Sequence, residues 1–236
     1  MPDLPLSGRK PEVPIPAAMR KMLLLAPVLA LLYGCSSPPE VSRPQPPRRP
    51  TTAYRPPELR QCLAQLGATG ASFALLPDKT YGASCQTIGT VRLANLRADT
   101  AQVALANLGP VTCAAANQFA GWARYGVDRA AFQILGSHVA RIDTFGSYSC
   151  RTVAGTSRMS GHAKANAIDV AGFVLEDGRR ITVLADWDGG TADERRFLRV
   201  VHDSACKRFG TTLGPQYNAA HKNHLHLEAD GAAFCR

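Results

Sequence analysis

The sequence predicts an α+β domain across residues 58–236: a small antiparallel sheet, flanked by helices and stabilised by disulfides. Three observations lead there. A capping box opens an amphipathic helix at residue 191, two segments rich in β-formers bracket an Asp-Gly turn at 177–178, and six cysteines are spread between residues 62 and 235. The chain has 236 residues, enough for one substantial core and tight for two. Its composition, 45% hydrophobic and 19% charged, is that of a soluble globular protein, and no internal repeat is visible.

Taken in order, the Ala-rich stretch "VTCAAANQFAGWARYGV" carries apolar residues at helical intervals and predicts a helix over 112–125. "SHVARIDTFGSYSC" is rich in β-formers and predicts a strand. "ANAIDVAGFVLEDGRRITVLADW" predicts a hairpin turning at Asp177-Gly178. "TADERRFLRVVHDSACKRFG" places Thr191 three residues before Glu194, then Phe197, Leu198, Val201, Ala205 and Phe209 on one face, with Gly210 to close the helix. "HLHLE" alternates, so it predicts a strand with Leu225 and Leu227 on the core side.

The region before residue 58 reads differently. "MRKMLLLAPVLALLYGC" has a basic start, an apolar stretch from Leu23 to Tyr33, and a cysteine after Leu32-Tyr33-Gly34. That stretch is too short for a stop-transfer helix, which needs about 18 residues. Residues 19–35 resemble a bacterial lipoprotein signal, in which Cys35 is the acylated position; an ordinary secretory signal with an incidental cysteine is the alternative. Met19 is the better start, leaving residues 1–18 as an upstream extension. Residues 36–57 are proline-dense and predict an extended tether rather than a core; a proline-rich ligand for a partner is the sharper alternative. The expected protein is exported, periplasmic and lipid-anchored, and Ser36 after Cys35 is compatible with the outer membrane.

The formal charge of +9 is uneven. Residues 1–57 hold eight Lys/Arg against three Asp/Glu, which leaves +4 for the rest. A domain this mildly basic suits an anionic polymer or a charged surface but is weak evidence for nucleic acid, since no basic run is interleaved with aromatics, and no nucleic-acid partner is expected. Cys62, Cys85, Cys113, Cys150, Cys206 and Cys235 form an even set without a CxxC pair, which in an exported protein implies three disulfides rather than a cysteine metal site. Six cysteines allow fifteen pairings, and spacing does not choose among them; the working assignment is Cys62–Cys85, Cys113–Cys150 and Cys206–Cys235.

Three of the six histidines, His221, His224 and His226, fall within six residues. On a strand, His224 and His226 project from one face while the leucines pack behind them. Such a pair suits a metal, or a metal ligand beside a catalytic partner; an incidental pair is the alternative. "SGHAKANAIDVAGF" adds His162 and, seven residues later, Asp169 among apolar neighbours. A buried carboxylate needs a cation, a hydrogen bond or an ion pair with an arginine. Two imidazoles, one carboxylate and an open fourth position make a catalytic type of zinc site.

At this point the residues resemble a known group. Ser160, His162, Ala167 and Asp169 match the SxHxxGxAxD motif of the D-Ala-D-Ala metallopeptidase and murein endopeptidase superfamily, and His224-Leu225-His226 matches its HxH motif. Over nearly all of residues 58–236 the chain most resembles the bacterial extensin-like C-terminal domain family, through "GSYSCR", "HAKANAIDVAGF", "FLRVVHDSACKRFGTTLGPQYNAAHKNHLHLE" and the final "CR". The resemblance implies a D-Ala-D-Ala metallopeptidase-like fold whose sheet bears Zn2+ on His162, Asp169 and His226. It places His224 at the catalytic histidine of the endopeptidase branch and His221 at a further active-site histidine.

Two positions depart from the motifs. Asn223 stands where the carboxypeptidase branch has a general-base glutamate, and Ala165 stands at the motif's glycine. Arg151, in "GSYSCR", is a candidate donor to an oxyanion, or a surface arginine beside a disulfide. His138 and His202 match no motif position and are expected to be structural, and Lys164 and Lys222 to be solvated. The expected function is a zinc-dependent peptidase of the cell envelope acting on peptidoglycan. The alternative is a non-catalytic zinc-containing cell-wall binding or structural module, anchored as a lipoprotein, for which the hedgehog signalling domain, a ligand that keeps such a site, is a precedent.

Overall fold

The computed structural model describes residues 55–82 and 84–236. The expected extension 1–18, the signal 19–35 with Cys35, and the tether up to residue 54 lie outside the described residues. What is described is a mixed α+β domain, as the sequence predicts.

Helix α1 (Pro57–Ala68) begins with proline in its first turn, where the missing N–H costs nothing. Six short strands follow: β1 (Ser72–Leu75), β2 (Lys79–Thr80), β3 (Gln86–Thr87), β4 (Thr90–Arg97), β5 (Gln102–Ala106) and β6 (Val111–Thr112). Thr112 caps α2 (Cys113–Trp122) by accepting from the Ala115 N–H. The helix does not stop near residue 125 as the sequence predicts. It passes through a π-helical turn (Ala123–Asp128) into α3 (Arg129–Leu135), and Gly136 closes the run in the left-handed conformation, φ +72°. Gly126 in that turn lies against Ser204, where a Cβ would collide with the serine side chain. Gly126 is thus a point of close packing between the turn and the segment that carries Ser204.

After β7 (Val139–Gly146) come β8 (Ala167–Leu175) and β9 (Arg180–Thr182), joined at Asp177-Gly178 as predicted, with Gly178 at φ +87°. The hairpin ends earlier than expected. Thr182 accepts from the Ala185 N–H and starts α4 (Val183–Gly189), so "VLADW" is helix rather than strand. Helix α5 (Ala192–Cys206) opens on the predicted capping box, with both the Thr191 and Glu194 bonds present. It stops at Cys206, so Gly210 is not its cap. Gly210 is instead pressed against Asp230 and Gly231, leaving no room for a Cβ. The chain ends with β10 (Thr211–Leu213), β11 (Leu225–Glu228) and β12 (Phe234–Cys235).

Among the described residues the main sheet has ten strands, in the order β1-β4-β5-β7-β8-β11-β10-β12, with β6 on β4 and β9 on β8. It is larger than the small antiparallel sheet expected, and two of its pairings, β5 with β7 and β10 with β12, are parallel. Parallel neighbours need a long crossover, and the helical run from α2 to α3 provides it between β5 and β7. One face of the sheet packs on the helices around Trp122, which stacks on Phe119 and meets Phe173 and Phe209, while its indole N–H donates to the Val201 carbonyl at 3.0 Å.

Among the described residues three disulfides form: Cys62–Cys113, Cys85–Cys150 and Cys206–Cys235. The last is as assigned, and the other two correct the assignment. Cys113 is the first residue of α2 and α1 packs along α2, so Cys62 meets it; the Asn117 amide donates to the Cys62 carbonyl at 3.0 Å. Cys85 meets Cys150 where Tyr81 and Tyr148 lie with ring centres 5.4 Å apart. Partners are chosen by how distant segments pack, which chain spacing does not encode. Because the α5 capping box satisfies two otherwise bare N–H groups, Thr191→Ala should lower unfolding stability by about 1 kcal/mol. Urea unfolding of both proteins measures this, and an unchanged midpoint would contradict it.

Candidate functional site

The register of β11 on β8 positions the site. His226 sits directly across from Asp169, and Leu227 and Leu225 sit across from Ile168 and Val170. The four apolar side chains are fully buried on the helix side, so Asp169 and His226 emerge together on the other face.

His162 reaches the same point from a 3₁₀ turn (Gly161–Lys164) just before β8. Ser160 caps the turn, accepting from the His162 N–H, and Ala165 ends it at φ +54°. Left-handed backbone is the conformation that favours glycine. In alanine it costs about 1–2 kcal/mol, partly offset by a methyl group that is fully buried, which is worth about 0.8 kcal/mol.

The hydrogen bonds on the far sides of the rings fix what the near sides present. His162 Nδ1 lies 3.2 Å from the Ser147 carbonyl, which can only accept, so the ring donates there and Nε2 carries a lone pair. His226 faces a carboxylate on each side, Glu228 Oε2 at 3.3 Å from Nε2 and Asp169 Oδ1 at 2.9 Å from Nδ1. Its charged form donates to both, and a neutral ring that keeps the Glu228 bond has its lone pair on Nδ1. Asp169 Oδ2 is 3.1 Å from His162 Nε2, Asp169 Oδ1 is 2.9 Å from His226 Nδ1, and the two nitrogens are 3.2 Å apart.

With the His226 proton on Nε2, three acceptors converge. Such a cluster takes a proton or a cation. With the proton, His226 is the holder: burial opposes its charge, but Asp169 and Glu228 outweigh burial and lift it to about 9. Burial pushes Asp169 upward, yet the imidazoles of His162 and His226 beside it hold it far below the usual carboxylate range. The set also fits zinc. Tetrahedral bonds of about 2.05 Å place ligand atoms about 3.3 Å apart, and each histidine already has the outer partner that orients a metal-bound imidazole.

The remaining expected residues gather on a cavity of about 650 Å³, lined among others by Arg151, Tyr217, His221, His224, His226 and Glu228. His224 Nε2 is 3.5 Å from Asp169 Oδ1, and its ring meets the edge of exposed Phe145, centres 6.0 Å apart. Burial lowers His224 below the usual imidazole range and takes His221 down to about 4, so neither carries charge at neutral pH. Arg151 is exposed at the rim and forms no ion pair among the described residues. The arginine partner considered for Asp169 is not what is found; its ion-pair partners are imidazoles.

His138 pairs with buried Asp128 and stacks on Phe132, and His202 meets the Arg236 carbonyl and Trp187. Both lie outside the cavity lining. Cys206 and Cys235 cluster with His202, but their sulfurs are bonded to each other.

A family profile described as extensin-like protein C-terminus matches residues 60–236. The chain belongs to the extensin-like C-terminal family. No curated protein and no solved structure matches it. The match spans every side chain of the site, from Arg151 to Glu228.

In this extensin-like domain, Glu228 is the residue that sequence reading missed. The alternation in "HLHLE" that pairs His224 with His226 also places Glu228 on their face, two residues further on. The Ser147 carbonyl left no signal, being a backbone atom. Glu228 also accounts for Gly161, since a Cβ there would overlap its carboxylate. Loss of the carboxylate that orients His226 should weaken zinc affinity of Glu228→Ala by about 10- to 100-fold. Competition with a chelating indicator measures it, and unaltered affinity would remove the residue from the site.

Proposed function

We propose that this extensin-like protein is a zinc-dependent peptidase of the cell envelope acting on the peptides of peptidoglycan. The observation that carries the reading is the convergence of His162 Nε2, Asp169 and His226 Nδ1 within 2.9–3.2 Å of one another, beside a cavity lined by two further imidazoles. The match to the SxHxxGxAxD and HxH motifs of the D-Ala-D-Ala metallopeptidase superfamily supports it. In this reading His162, Asp169 and His226 hold Zn2+, which supplies Lewis acidity and makes water acidic near neutral pH.

The protein's own groups do the rest. His224 accepts the proton of the attacking water at Nε2 and returns it to the leaving amine. Arg151 donates to the charge that develops on the carbonyl oxygen, and His221 contacts the substrate beside His224. The substrate class follows from compartment: a signal over residues 19–35, lipid on Cys35 and a proline-rich tether over 36–57 would hold the domain at the membrane, within reach of the wall.

A second reading, a zinc-containing module that binds the wall without cutting it, draws on Asn223 standing where the carboxypeptidase branch has its basic glutamate. Digestion of purified sacculi separates the two. Zinc-loaded wild-type protein should release peptides detectable by mass spectrometry, and His224→Ala should release them at least about 100-fold more slowly with its zinc retained. Inert profiles from both, at full zinc occupancy, would favour the binding module. The metal is tested apart from turnover: Asp169→Ala should purify with much less zinc by elemental analysis, and full retention would show that the ligands are misassigned.

A further inference from the structure

Asn223 departs from the motif in a way that sequence reading treats as a loss, because an amide cannot take up a proton. Its side chain nevertheless makes a specific contact. Asn223 Oδ1 lies 2.8 Å from His224 Nδ1, while on the other side of the ring His224 Nε2 lies 3.5 Å from Asp169 Oδ1. A neutral imidazole has one N–H, and it resides where the bond is better made. At 2.8 Å the Asn223 contact is a full hydrogen bond, whereas 3.5 Å is at the outer limit.

The ring has two aromatic neighbours: Phe145, with ring planes at 76°, and His221, whose ring centre is 5.1 Å away. The preceding turn repeats the device. His221 Nδ1 is 2.7 Å from Asn218 Oδ1, and that oxygen also accepts the Ala220 backbone N–H at 3.0 Å. The backbone donor identifies the Asn218 atom as the oxygen, so His221 is likewise protonated on Nδ1.

We infer that Asn223 is a positioning residue that sets the tautomer of His224: it holds the proton on Nδ1 so that Nε2 keeps its lone pair for the cavity that the ring lines. The catalytic consequence rests on the reading of His224 as the proton acceptor, but the tautomer is measurable without turnover. Protein labelled with ¹⁵N in its histidine rings gives two-bond nitrogen–proton spectra, in which the His224 signals are assigned by their loss in His224→Gln.

Wild type, metal-free or zinc-loaded, should show the Nδ1–H pattern for His224. Asn223→Ala should lose that preference, and Asn223→Asp, which keeps an acceptor in place, should retain it. In sacculus digestion Asn223→Ala should lower kcat by about 10- to 100-fold at unchanged KM and zinc content. An Nε2–H pattern in wild type, or an unaltered pattern in Asn223→Ala, overturns the inference. The wild-type spectrum decides alone if a variant does not fold. Absence of turnover in wild type, with the expected spectra, defeats the peptidase reading and leaves the tautomer assignment standing.

Discussion

Antiparallel pairing between β8 and β11 sets His226 across from Asp169, and most of the site follows from that register. The register is held from the opposite face. Ile168, Val170, Leu225 and Leu227 are fully buried, and each such side chain contributes about 1.5–3 kcal/mol. A slip of one residue would turn those leucines towards the cavity and drive His226 into the apolar layer. The site's geometry is thus maintained by residues that never touch it, and the polar side chains are free to be arranged for charge rather than for cohesion.

Charge is the second constraint. Asp169 and Glu228 are both largely shielded from water, and the imidazoles between them are neutral unless protonated. Two carboxylates with neutral neighbours leave a local charge of about −2, which a buried site does not tolerate uncompensated. A divalent cation balances it fully, whereas one proton on His226 balances half. The His162 and His226 rings are pinned from outside by Ser147 and Glu228, so the inner atoms stay aimed at the same point whichever cation is present.

What could be read in advance was local. The capping box at Thr191 and Glu194, the turn at Asp177-Gly178 and the alternation of Leu225 and Leu227 each depend on residues a few positions apart, and each is found in place. The convergence of residues 162, 169 and 226 was also legible, because His162 and Asp169 flank a single strand start and His226 lies on another alternating segment. The first half of the domain was not. Strands β2, β3 and β6 have two residues each, too few to show any period, and β5 joins β7 only through a crossover. Disulfide partners depended on that unseen packing. Glu228 was within reach of the same alternation, and Asn223 was read as what it lacks rather than as what it bonds.

The last strand of the sheet, β12, is also a wall of the cavity. Phe234 lines it and meets Tyr217 edge-on, and Cys235 ties the strand to α5 through Cys206. Strand β12 is two residues long and lies at the sheet's edge, so few backbone bonds hold it without that covalent link. The Cys206–Cys235 bond thus anchors an outer boundary of the chamber to a helix that lies outside its lining.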